Sequence, residues 1–189
     1  YKRQESVCKV SIDCPVKKNP LKHAKSLIVT RKIEIYHFFD YESDELIHVQ
    51  GFQDVMDNMK KAEKLGKQIK YKSGYSNFTF DLWIILHMMN CNASYAHRKQ
   101  YVTQINRAFG EKFENMDEYK HEDTFKRCLS KMNLSNVIAA IDRAKKIMQK
   151  NKENGYILQQ YKGYRYYKEN PSLTAWEAVE KILSECKLI

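Results

Sequence analysis

Glycine and proline are scarce in this 189-residue chain, at six and three residues. That scarcity excludes a turn-rich sandwich and a disordered, low-complexity chain. No apolar run approaches the roughly 18 residues of a membrane span, so no membrane partner is expected. The N-terminus, Tyr-Lys-Arg-Gln-Glu, lacks the apolar core of a secretion signal. It also lacks Met, which fits a piece of a longer protein. Five cysteines, Cys8, Cys14, Cys91, Cys128 and Cys186, make an odd number with no C-x-x-C pair. A zinc ribbon and a dithiol redox motif are thereby excluded, and free thiols fit a reducing, cytoplasmic setting. Walker, G-x-G-x-x-G, G-x-S-x-G and H-E-x-x-H motifs are all missing, as are internal repeats.

What is present is positive charge. Lys and Arg number 33 against 23 Asp and Glu, a formal surplus of ten. A surplus of that size attracts polyanions by counterion release on phosphate backbones, which makes DNA or RNA the first partner to consider. The plainer reading is a Lys-rich solvated surface, since few of the cations are Arg. Two stretches interleave cations with tyrosine: Tyr95 to Tyr101, carrying Arg98 and Lys99, and Tyr161 to Lys168, carrying Lys162, Tyr164, Arg165 and Lys168. Phosphate contacts from these cations, with bases stacked on Tyr, would suit single-stranded nucleic acid. Against that stands ordinary packing, with Tyr rings inward and Lys ends outward.

The periodicities alternate between strand and helix, which predicts an α/β fold. A short strand is expected over residues 7–12. Asn19 and Pro20 read as an N-cap and first helical position, followed by Leu21, Ala24, Leu27 and Ile28 at helical spacing. Residues 33–39, IEIYHFF, form the clearest strand, apolar enough to be a central parallel strand covered on both faces. Phe52, Val55, Met59, Ala62 and Leu65 define a helix that Gly66 stops. Residues 68–72 predict a second strand, and Ser73-Gly-Tyr-Ser-Asn77 a turn. Thr79 is expected to cap an almost wholly apolar helix reaching about Asn90. The second half reads as largely helical: residues 101–109, 124–132, a helix capped by Ser135, and a last helix opened by a Thr174–Glu177 capping box. The expected organisation is a core over 1–92 with a helical part, 93–189, packed on it in the same domain.

Asp40, Glu42, Asp44 and Glu45 crowd the carboxyl end of the clearest strand, where functional loops of open α/β sheets gather. Crowded carboxylates repel one another, and a divalent cation relieves that cost. Mg²⁺ favours a few carboxylate oxygens plus water, and it serves phosphodiester chemistry by activating water and shielding the phosphate. A solvated acidic loop capping the next helix explains the same residues without a metal. In the following apolar helix, Asp81 has a plain role near the helix dipole. His87, six residues on, has one as a hydrogen-bonded core histidine.

Five segments in order, NPLKHAKSL, IEIYHFFDYESDE, YSNFTFDLWIILHMM, AIDRAKKI and NPSLTAWEAVEKIL, resemble the RloB-like family, prokaryotic proteins found in restriction and abortive-infection (AbiL-type) phage-defence loci. The resemblance runs from about Asn19 to the end of the chain. It implies a small, mostly parallel Toprim-like sheet flanked by helices, with a largely helical C-terminal half. It also implies a Mg²⁺- or Mn²⁺-dependent nuclease acting on DNA or RNA with a partner ATPase. Carried over by position, Asp40 and Glu42 would hold metal with Asp44 beside them, Asp81 would support the site, and His87 would be a family position of unassigned role. The acidic pair here is Asp-x-Glu where the family usually has Asp-x-Asp, and the family's opening Gly-Glu turn is not found. The alternative is a non-catalytic subunit that binds nucleic acid or a partner.

Overall fold

The structure, a computed structural model, describes residues 13–189, so the strand expected over residues 7–12 lies outside the described residues. Helix α1 (Pro20–Ser26) opens as its sequence predicts: the Asn19 side chain accepts from the Lys22 amide at 2.9 Å and Pro20 takes the first helical position. It ends earlier than the apolar spacing implies, since Leu27 is already extended and Ile28 is left exposed.

Strand β1 (Ile33–Asp40) runs parallel to β2 (Ile69–Asn77), with Ile33 opposite Ile69 and Asp40 opposite Ser76. Helix α2 (Leu46–Glu63) makes the crossover. A two-residue strand, β5 (Ser172–Leu173), adds antiparallel to the far edge of β2, giving the order β1-β2-β5 and a mixed sheet. The central position belongs to β2. Among the described residues, β1 bonds to β2 alone, contrary to the reading of β1 as the central strand. Its apolar residues Ile33, Ile35 and Phe39 face α1 and α2, while Glu34 on the other face pairs with Lys181.

Ser73 to Asn77 is strand rather than turn. Gly74 sits opposite Phe38, and a Cβ there would lie 2.9 Å from Phe38 Cδ1. Glycine serves a close approach here, not a bend. Helix α3 (Asp81–Met88) buries seven of its eight residues, as expected of a helix apolar all round.

Helices α4 (Tyr101–Phe109), α5 (Met116–Lys120), α6 (Glu122–Ser130) and α7 (Leu134–Glu153) follow. The cap of α7 is Asn133, which exchanges bonds with Asn136, two residues earlier than a Ser135 cap implies. Within the helical half lies a hairpin that residue spacing does not announce, β3 (Gln159–Tyr161) and β4 (Tyr164–Tyr166). Its Lys162-Gly163 link has φ of 51° and 86°, the two positive values a tight hairpin requires. Helix α8 (Ala175–Glu185) closes the described chain. Thr174 makes no side-chain cap there; its Oγ1 donates to the Ser73 carbonyl at 2.9 Å and accepts from the Tyr75 amide at 3.2 Å.

Two apolar clusters hold these elements. The larger joins α3 to α4, α7 and α8. The smaller lies between α1, α2 and β2, and it takes in Tyr164 and Tyr166 from the hairpin. Both cross residue 92: α3 packs with the second half, and the hairpin packs with the first. In the smaller cluster Tyr166 lies 4.9 Å from Phe52 and 6.3 Å from Tyr75 between ring centroids. Such pairs contribute about 0.5–1.5 kcal/mol each beyond buried area.

Candidate functional site

Asp40 is the last residue of β1 and Asp81 the first of α3. The chain between them leaves the sheet and returns beside it, because Tyr41 donates its amide to the Ser76 carbonyl at 2.9 Å and Glu42 donates to Phe78 at 3.0 Å. This stitching seats the acidic turn on the end of β2 and brings Asp40 within electrostatic reach of Asp81. Glu42 adopts φ 63°, a left-handed conformation that costs a non-glycine residue about 1–3 kcal/mol and is concentrated at functional sites.

The two aspartates differ in surroundings. Burial, then the neighbouring Asp81 charge, pushes the Asp40 carboxyl up to about 7; a bond from the Phe80 backbone and the Lys120 ammonium oppose that rise, and Glu42 adds to it. Asp81 is buried at 5% exposure. Its Oδ2 accepts from the Thr79 hydroxyl at 3.0 Å and meets Lys120 Nζ at 3.3 Å. Tyr101 and Tyr119 stand fully buried nearby, and burial followed by neighbouring negative charge, Asp81 included, keeps their hydroxyls protonated. Tyr119 points at Asp81 without closing a well-formed hydrogen bond, and the Tyr101 hydroxyl is directed at the Phe78 backbone.

The other acidic residues turn elsewhere. Glu42 Oε2 pairs with His48 Nε2 at 3.2 Å, and Ser43 Oγ holds His48 Nδ1 at 2.7 Å. Asp44 accepts from the Tyr41 hydroxyl at 2.9 Å and lines a separate open cleft of about 500 Å³, with Lys168, Glu169 and Asn170 across from it. Among the described residues, no three His, Cys, Asp or Glu side chains gather as a ready-made metal cage. His87 is buried in α3, its Nδ1 on the Trp83 carbonyl at 2.9 Å and its ring 4.8 Å from the Trp83 ring. Burial depresses its pKa, so it is a neutral histidine satisfied within its own helix.

The basic stretches fare differently from one another. Arg98 and Lys99 are exposed on a 3₁₀ turn, Arg98–Gln100. Asn170 ties this region to the other stretch: its Oδ1 accepts from the Tyr95 amide at 2.7 Å and its Nδ2 donates to the Tyr95 carbonyl at 3.0 Å. Lys168 and Arg165 are exposed as well. Lys162 lies 3.7 Å from Asp57. Tyr164 is buried beneath the Lys60 ammonium, 5.4 Å from its ring centroid, so its face is not free to stack on a base. Rings inward and cations outward describes this hairpin.

Lys120, Tyr101, Tyr119 and Thr79 complete the site without having been identified as site residues from sequence. Thr79 is legible as a neighbour of Asp81; the other three arrive from α4 and α5, and no local motif marks them.

Fold and site together define an α/β domain with a carboxylate pair, Asp81 buried and Asp40 half-buried, at the carboxyl end of a parallel strand pair. The model of the RloB-like protein family matches residues 8–182, and the chain belongs to that family. No curated protein and no solved structure matches it. Among the described residues, no helix is long and apolar enough to cross a membrane.

Proposed function

We propose that this chain is a divalent-metal-dependent nuclease of a phage-defence system, with a Toprim-like centre built on Asp40 and Asp81. The observation that carries the reading is the pairing of these two carboxylates, one half-buried at a strand end and one buried at a helix start. Burial first and the neighbouring Asp81 charge second raise the Asp40 pKa, and a cation, Lys120, already stands against Asp81. This donor set fits Mg²⁺ or Mn²⁺, which take a few carboxylate oxygens and otherwise water. When bound, the ion supplies activation of water and shielding of the scissile phosphate. The chain's part is to hold Asp81 in one orientation through Thr79 and to place Asp40 beside it. Glu42, half exposed on the same turn, is the third candidate ligand, whereas Asp44 faces the neighbouring cleft. Arg98, Lys99, Arg165 and Lys168 would hold the phosphate backbone of DNA or RNA. The partner ATPase and the abortive-infection role rest on the family resemblance.

The second reading is a non-catalytic nucleic-acid-binding subunit. It is favoured by the engagement of Glu42 with His48 and of Asp44 with Tyr41, which leaves a two-carboxylate centre. Calorimetric titration with Mn²⁺, wild type beside Asp40→Ala, tests the first reading. Binding by wild type, lost in the variant together with Mn²⁺-dependent cleavage of labelled DNA and RNA, is the expected result. Salt-sensitive oligonucleotide binding with neither metal uptake nor cleavage would establish the second reading instead.

A further inference from the structure

Lys120 is placed to do two things in turn. Its side chain is 53% exposed, whereas the Asp81 side chain it meets is 8% exposed. A single pairing of a half-solvated ammonium with a carboxylate is a weak bond and is readily exchanged for another cation. The backbone behind it is fixed. Asn115 caps α5 through the Asp117 and Glu118 amides. Tyr119 is locked between Phe113 and Phe125, with ring centroids 5.8 and 5.5 Å away. The head of Lys120 is therefore mobile on an immobile base.

Tyr119 directs its hydroxyl at the same carboxylate, Asp81. That hydroxyl is fully buried and closes no well-formed hydrogen bond, whereas the Tyr101 hydroxyl is directed at the Phe78 backbone. An oxygen on a metal-bound water or a phosphate at Asp81 would satisfy the Tyr119 hydroxyl.

We infer that Lys120 is the resident counter-ion of the Asp40–Asp81 pair, that Mg²⁺ or Mn²⁺ displaces it, and that the freed ammonium then binds a phosphate oxygen of the nucleic acid. The inference rests on reading that pair as the divalent-cation site. In the metal-free protein the Lys120 charge is spent on Asp81; in the metal-bound protein it is available to substrate. Metal and nucleic acid are thereby coupled through one side chain, and the coupling is reciprocal. Lys120 makes the site refuse phosphate until metal is present, a binding and positioning role.

The test uses the whole chain as wild type, Lys120→Met, Lys120→Gln and Lys126→Met. Lys126 is an exposed lysine on the adjacent helix, paired with Glu122. Mn²⁺ affinity is read by calorimetry. Affinity for a short single-stranded phosphorothioate oligonucleotide is read by fluorescence anisotropy with and without Mn²⁺, and thermal melting checks folding. Both Lys120 variants are expected to bind Mn²⁺ about two- to fivefold more tightly than wild type. They are also expected to lose the rise in oligonucleotide affinity that Mn²⁺ gives wild type, and Lys126→Met should match wild type in both. Unchanged Mn²⁺ affinity in the Lys120 variants overturns the counter-ion role while leaving the carboxylate pair a metal site. An equal gain in Lys126→Met overturns it too, by reducing it to net charge. Failure of wild type to take up Mn²⁺ at all removes the metal reading and this inference with it.

Discussion

Asp40 ties the site to the stability of the domain. Its carboxyl is raised from 3.8 to about 7 in the folded protein, so the folded state holds the proton more tightly than the unfolded chain. Below about pH 4 both states are protonated and Asp40 costs nothing. Its cost grows as pH rises towards about 7 and is constant above that. A shift of this size is worth on the order of 2–4 kcal/mol. In metal-free buffer, Asp40→Asn is expected to stabilise the domain by that amount at about pH 8 and by little at about pH 4. Urea denaturation at the two pH values reads the difference, and an equal effect at both would mean that Asp40 ionises like a surface carboxylate. Asp40 was legible in the sequence because acidic residues crowd the end of an apolar strand. Asp81 was legible only through its place in the family pattern. Lys120 and the two tyrosines were not legible, since they reach Asp81 from helices far along the chain and carry no spacing of their own.

Among the elements, β2 departs furthest from what its residues favour in isolation. Ser, Gly and Asn are turn formers, yet here they lengthen a strand. Parallel pairing with β1 decides the matter: Gly74 admits the Phe38 ring, and Asn77 donates its side-chain amide to the Lys168 carbonyl at 2.7 Å. Gly74→Ala is expected to cost about 1–3 kcal/mol by overpacking. In a Phe38→Ala background most of that cost should vanish, a coupling that a double-mutant cycle measures. No such coupling would mean the ring simply rotates away. Thr174 teaches the same lesson, for its position matched a capping box while its hydroxyl went to β2. Where a helix or strand followed its own period, as in α4 and in the extent of β1, the sequence reading and the structure agree closely. Where a polar residue was claimed by a neighbour distant in the chain, they part.

At the scale of the molecule, the charge surplus acquires a direction. Asn170 pins the loop before Arg98 and Lys99 to the segment carrying Lys168, so two basic stretches far apart in sequence become neighbours. Replacing Arg98, Lys99 and Lys168 together by Ala is expected to reduce the slope of log affinity against log salt by roughly 0.7–0.9 for each phosphate no longer neutralised. Replacing Lys162, already near Asp57, should change it little. Anisotropy titrations across a salt series measure both, and equal slopes in all variants would place the nucleic acid on another face. The α/β class was evident from the alternation of periods. The mixed sheet was not, because its third strand is two residues long.

The end of β2 is held by groups that come much later in the chain. Thr174 bonds to Tyr75 across 99 positions, Asn77 to Lys168 across 91, and the Tyr75 hydroxyl to the Tyr167 amide across 92. Pairings of such span form only once the intervening loop has closed. During synthesis, Asp40 and Asp81 therefore emerge from the ribosome long before the residues that seat the turn between them. A nascent chain carries the acidic side chains but not their arrangement, and whatever chemistry the pair performs begins only after residues 167–174 have joined the fold.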